Sequence, residues 1–128
     1  MSARRILLVD DDADIRQIAA LSLRRIGQFQ VELAASGAEA LAIVARDPPD
    51  LLLLDVSMPG MDGPSTLKAL RATPSGSSLP IVFFTATSSE VEVARLCALG
   101  AVAVIPKPFD VATLPRRVRD ILTGIGLD

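Results

Sequence analysis

The sequence predicts an α/β fold, a parallel sheet with helices on both faces, in a single domain. Three observations predict it. Short apolar runs and stretches of helical length alternate five times along the chain. Four of the five runs are continuously apolar rather than alternating, which suits strands covered on both faces. The chain is 128 residues long, 50% hydrophobic with a mean hydropathy of +0.44, enough for one core of ordinary domain size and too apolar for a disordered segment. A strand–helix repeat of this kind builds a parallel sheet, because each right-handed crossover needs a helix.

The apolar runs cover 6–9, 30–33, 51–54, 81–84 and 102–105. After the first, Asp12 reads as a helix N-cap, and Ile15, Ile18, Ala19, Ser22 and Ile26 recur at helical spacing up to Gly27. Ser36 and Glu39 have capping-box spacing and open the second helix, which stops before Pro48-Pro49. Asp62-Gly63 reads as turn chemistry, with Pro64 in the first turn of the third helix. The Ser- and Gly-rich stretch 73–78 is a loop within the domain. Thr87 and Glu90 also have capping-box spacing; the fourth helix runs from there to Gly100, with Cys97 expected in the core. In the last helix Val111, Leu114, Val118, Ile121, Leu122 and Ile125 form one apolar stripe. Pro115 would break a helix capped at Asp110, so the cap is expected at Thr113. Arg116, Arg117 and Arg119 read as a solvated face.

Composition narrows the function. Thirteen basic residues against fifteen acidic ones give a net charge of −2, which argues against direct binding to a nucleic-acid backbone. One cysteine excludes an internal disulfide framework and fits a reducing compartment. The start of the chain lacks the pattern of a signal peptide, and no apolar run reaches the roughly 20 residues of a membrane span. A cytoplasmic protein is expected, with no membrane partner.

In open parallel sheets, sites gather beyond the carboxyl ends of the strands. Those ends carry Asp10-Asp11-Asp12, Asp55, Thr85 and Lys107-Pro108. Carboxylates crowded together repel unless a cation joins them. All-oxygen ligation in a chain without histidine points to a hard divalent ion such as Mg²⁺. An aspartate beside such a cation can act as a nucleophile toward phosphorus, and Thr85 and Lys107 could then bind the transferred oxygens.

From Ile6 to about Leu122 the chain resembles the receiver domains of two-component response regulators, chemotaxis regulators among them. The resemblance is carried by the segments 6–12 (ILLVDDD), 54–63 (LDVSMPGMDG), Thr85-Ala86 and Lys107-Pro108-Phe109. It implies a flavodoxin-like doubly wound (βα)5 sheet of strand order 2-1-3-4-5. It further implies that Asp55 is the phosphoacceptor and that Mg²⁺ is held by Asp10, Asp11, Asp55 and the backbone carbonyl of Ser57. Thr85 resembles the switch hydroxyl, and Lys107 the phosphate-pairing lysine in a Lys107–Pro108 bond that is typically cis. Only two lysines stand beside eleven arginines, and a lysine at this position fits a point-charge role. The implied phosphodonor is a histidine kinase or histidine phosphotransfer protein, the chain having no histidine of its own. The implied output is an unknown protein bound at the surface of helix 4, strand 5 and helix 5. Such a domain is a switch that assists its own phosphorylation and dephosphorylation, not a turnover enzyme.

The sequence departs from the family at Val104, where many receivers carry Tyr or Phe. Ser57 and Thr87 occupy positions that tune loss of the phosphoryl group, and Met58 and Met61 flank the acidic site. Residues 1–128 are expected to form one receiver domain with a core of about 4–123 and no output domain. A start at Met1 favours a stand-alone regulator over a fragment of a hybrid kinase or longer regulator. A Mg²⁺-dependent phosphohydrolase would typically carry a second Asp where Ser57 stands. A mononucleotide binder would not place three aspartates in its phosphate loop.

Overall fold

Strand residues of alternating parity supply two separate apolar surfaces, and these fix the layering. The structure, a computed structural model, describes residues 4–87 and 89–127. Residues 1–3, read above as the chain start, lie outside the described residues, as do Ser88 and Asp128. The elements run β1 (Arg5–Val9), α1 (Ala13–Leu21), β2 (Gln30–Ala34), α2 (Gly37–Arg46), β3 (Leu51–Asp55), α3 (Gly63–Arg71), β4 (Ile81–Thr85), α4 (Glu90–Ala98), β5 (Ala103–Pro106) and α5 (Leu114–Gly124). All four strand pairings are parallel, in the order β2-β1-β3-β4-β5. Leu7, Val9, Leu52, Leu54 and Phe83 pack on α2, α3 and α4 through Val44, Leu70 and Leu96. Ile6, Leu8, Leu53, Val82 and Phe84 pack on α1 and α5 through Ala19, Val118 and Leu122. Both faces are therefore closed, and β3 and β4 are buried along their whole length.

The caps explain where the helices begin. Asp12 accepts from the backbone N–H of Asp14 and Ile15, Ser36 from Glu39, and Asp62 from Ser65 with a proline in the first turn. Thr113 stands at the cap position of α5 with Pro115 following, though its hydroxyl makes no cap bond. The Asp110 carbonyl accepts from Leu114 instead.

Several sequence expectations are corrected. The fourth helix is capped by Ser89, which accepts from Glu92, not by Thr87 with Glu90; the same Ser/Thr-x-x-Glu spacing occurs twice, and the second copy wins. The first helix buries Ala19, Ala20, Ser22 and Leu23 while Ile18 and Ile26 are half exposed. A π-helical turn over Ser22–Ile26 adds a residue and shifts the phase of the stripe. Cys97 is exposed, because α4 fully buries only Leu96. Val111 precedes α5 and is exposed. The last strand begins one residue late, at Ala103. Arg119 is not simply solvated: it donates to the Gly27 carbonyl at 2.7 Å and lies over the Phe29 ring.

Candidate functional site

Two strands, β1 and β3, end at one edge of the sheet and bring the acidic groups together. Asp10 follows β1 and is completely buried; Asp55 is the last residue of β3 and 4% exposed. Asp11, on the surface, joins them, and ligand oxygens of the three carboxylates all lie within 4.8 Å of one another. Two bonds to Mg²⁺ of about 2.1 Å span about 4.2 Å across an octahedron, so this spread needs little adjustment. The set offers hard oxygen donors without nitrogen or sulfur, and it fits a hard divalent cation.

Lys107, just after β5, bridges the pair. Its ammonium donates to Asp10 Oδ2 at 2.8 Å and to Asp55 Oδ1 at 3.1 Å. Burial disfavours that charge, yet the hydrogen bonds and fields of both carboxylates hold its pKa above the ordinary lysine value. Burial raises the Asp55 pKa above the usual carboxylate value, Asp10 adds to this, and Lys107 only partly offsets it. One ammonium therefore faces an excess of negative charge. The remaining bonds fix geometry: Asp12 N–H donates to Asp10 Oδ1 at 2.9 Å, and Ser57 N–H to Asp55 Oδ1 at 3.4 Å.

Thr85 ends β4 and is buried, but its hydroxyl turns away from the carboxylates. It donates to the Thr87 carbonyl and accepts from the Thr87 N–H, both at 3.0 Å. Its own carbonyl accepts from Lys107 N–H at 2.8 Å, tying the two strand ends together. The Lys107–Pro108 bond is cis. Val104 is buried against the α2–α4 layer, and its carbonyl accepts from Arg117 at 3.3 Å.

The structure thus gathers Asp10, Asp11, Asp55 and Lys107, sets Thr85 at the rim engaged elsewhere, and leaves Ser57 on the exposed loop beyond β3. Two residues carry more of the site than the sequence suggested. Gly63, read as part of a turn, opens α3 against the carbonyl of Asp55. Arg16 donates to the Asp10 carbonyl at 2.7 Å. Its signal in the sequence is a basic residue in the first turns of a helix, where the dipole disfavours it.

Comparison with known proteins agrees with the fold. The sequence profile of the response regulator receiver domain matches residues 6–119. The Response regulator MprA of Mycobacterium leprae is 46% identical over 118 residues, 92% of this chain and 50% of that protein. Its counterpart in Mycobacterium ulcerans is 44% identical over 124 residues, 97% of this chain and 52% of that one. The chain spans about half the length of these curated relatives. Among solved structures, the chemotaxis response regulator CheY4 of Vibrio cholerae superposes with a TM-score of 0.87 at 34% identity, covering 94% of this chain and 100% of that one. A putative response regulator from Chloroflexus aurantiacus gives 0.85 at 36% identity, covering 95% and 99%.

Proposed function

The chain belongs to the response regulator receiver domain family, and from that premise we propose that it is a phosphorylation-driven switch with Asp55 as phosphoacceptor. A histidine kinase or histidine phosphotransfer protein supplies the phosphoryl group, since the chain holds no histidine. A carboxylate oxygen of Asp55 attacks phosphorus, the P–N bond of the donor's phosphohistidine breaks, and the imidazole leaves with its electron pair. Asp10, Asp11, Asp55 and the Ser57 carbonyl are the residues that would hold Mg²⁺. When bound, the ion neutralises charge on the transferring oxygens.

Lys107, already 3.1 Å from Asp55 Oδ1, pairs with a phosphoryl oxygen. Thr85 leaves Thr87 and turns its hydroxyl to another, and the loop into α4 follows. The changed surface of α4, β5 and α5 is what an output protein reads, by protein contact and not through nucleic acid or a membrane. Small polar groups at Ser57 and Thr87 leave water free access to the acyl phosphate, so the signal decays without a turnover reaction. No described helix is long and apolar enough to cross a membrane; it is membership of the receiver family that supports a cytoplasmic location.

The observation that carries this reading is the convergence of Asp10, Asp11, Asp55 and Lys107 from three separate segments on one point. With Mg²⁺ and a small acyl-phosphate donor, intact-mass spectrometry is expected to find one phosphoryl group on the wild type and none on Asp55→Asn. Equal labelling of both would overturn the assignment.

A further inference from the structure

We propose that Arg16 is a positioning residue for the acidic loop: its bond to the Asp10 carbonyl aims the Asp10 and Asp11 carboxylates at a divalent cation. The inference rests on the reading above that these carboxylates hold Mg²⁺.

Asp10 is fully buried one residue past the end of β1. Its N–H is taken by the Ala34 carbonyl at 3.1 Å. Its own carbonyl, on the same side, has no such partner, because the β1–β2 register stops at Val9 and Ala34. A buried carbonyl beyond the ladder must find a donor elsewhere, and Arg16 Nη1 supplies it at 2.7 Å. The Asp10 carbonyl and the Asp11 N–H belong to one rigid peptide plane. Fixing that oxygen therefore fixes the direction in which the chain enters Asp11. Asp10 has further anchors on its carboxylate, from Asp12 and Lys107. The exposed Asp11 carboxylate has no hydrogen bond among the described residues, so the plane behind it is what orients it.

The position of Arg16 is otherwise costly. A half-buried guanidinium near the N-terminal end of α1 opposes the helix dipole, and among the described residues it has no carboxylate partner. Its charge also repels an incoming cation. The hydrogen bond and the charge thus act on Mg²⁺ affinity in opposite directions, and the proposal requires the hydrogen bond to dominate.

The test is a Mg²⁺ titration of the ¹⁵N-labelled full chain followed by amide shifts. Arg16→Met is expected to weaken Mg²⁺ binding about tenfold, the order of losing a partner that orients a metal ligand. It should also displace the Asp11 amide signal before any metal is added. Arg16→Lys, which keeps a donor on a long arm, should recover most of the affinity. Arg16→Gln, too short to make the same bond yet polar enough to be solvated there, serves if Arg16→Met does not fold, and it too must bind more weakly. Variants that bind Mg²⁺ as the wild type does, or more tightly, overturn the role of Arg16. A wild type without a saturable Mg²⁺ response in the millimolar range overturns the metal reading and this inference together.

Discussion

Replacing Gly63 by alanine is expected to destabilise the protein, although the same change inside a helix ordinarily stabilises by up to about 1 kcal/mol. Gly63 is the first residue of α3, directly after its Asp62 cap. A Cβ there would stand 2.4 Å from the Asp55 carbonyl oxygen, 2.8 Å from Val56 Cα and 2.9 Å from Phe83 Cε1. Even a close carbon–oxygen contact lies at about 3.3 Å, so the start of α3 must part from β3 by roughly 1 Å. Two of the three obstacles are backbone and the third is a fully buried ring, so none yields cheaply. The parting also breaks the Gly63 N–H bond to the Val56 carbonyl, now 2.8 Å. Overpacking costs about 1–3 kcal/mol and the lost bond about 1 kcal/mol. Set against the alanine gain, the net loss is about 1–3 kcal/mol, a Tm lower by roughly 4–12 °C for a chain of this size. Urea unfolding with an unchanged m-value and a thermal melt measure it. Labelling of Asp55 by a small acyl phosphate should slow as well, since the displaced backbone is its own. A Gly63→Ala protein as stable as the wild type would refute the reasoning.

Three further outcomes are expected. Metal-free protein should melt lower than protein in Mg²⁺, by about 2.7 kcal/mol at 100 times Kd, and Asp11→Ala should narrow that gap; melts that ignore Mg²⁺ in the wild type would contradict a metal site. Hydrogen bonds from the Ser65 hydroxyl and N–H hold the Asp62 pKa below its ordinary value of 3.8. Its cap contribution, about 1 kcal/mol, is therefore complete above that value and fades as pH falls through the lower folded one. Urea midpoints of Asp62→Asn should lose this acid-side dependence, and an unchanged profile would count against the cap. Thr85→Ala should still accept a phosphoryl group, yet show a reduced shift of the α4 and β5 amides with beryllofluoride; a full wild-type shift pattern would mean that the signal leaves by another route.

Much of this architecture was legible because buried parallel strands write themselves as unbroken apolar runs: 51–54 and 81–84 are strand residues in full. Asp55 was legible for the related reason that a charge ending such a run is costly without a purpose. What was not legible lay where periodicity misleads. A π-helical turn rotates the end of the α1 stripe without any signature in residue type, so Ile26, apolar and correctly spaced, faces outward. Cys97 has apolar neighbours on a helix that buries almost nothing, and no local pattern distinguishes that from a core position. Gly63 and Arg16 escaped because they meet the backbone carbonyls of Asp55 and Asp10, and side-chain motifs do not name those partners.

The site sets reactivity against stability. Two buried carboxylates share one ammonium, and a third stands at the surface. On the function proposed above, the arrangement that leaves Asp55 short of counter-charge is also what makes it receptive to a cation and then to a phosphoryl group. A phosphoryl group on Asp55 adds further negative charge, and the donors within reach are the Lys107 ammonium and the Thr85 hydroxyl. Lys107 is already at Asp55, whereas Thr85 is held by both bonds to Thr87. Recruiting the hydroxyl therefore means giving up the turn that leads into α4. That helix resists little, with Leu96 its only fully buried side chain, while β4 beneath it is buried at every residue. Local stability falls steeply across Thr85, from a fixed strand to a loosely held helix. On the proposed reading, a small chemical change at Asp55 moves the helix without disturbing the sheet that positions the chemistry.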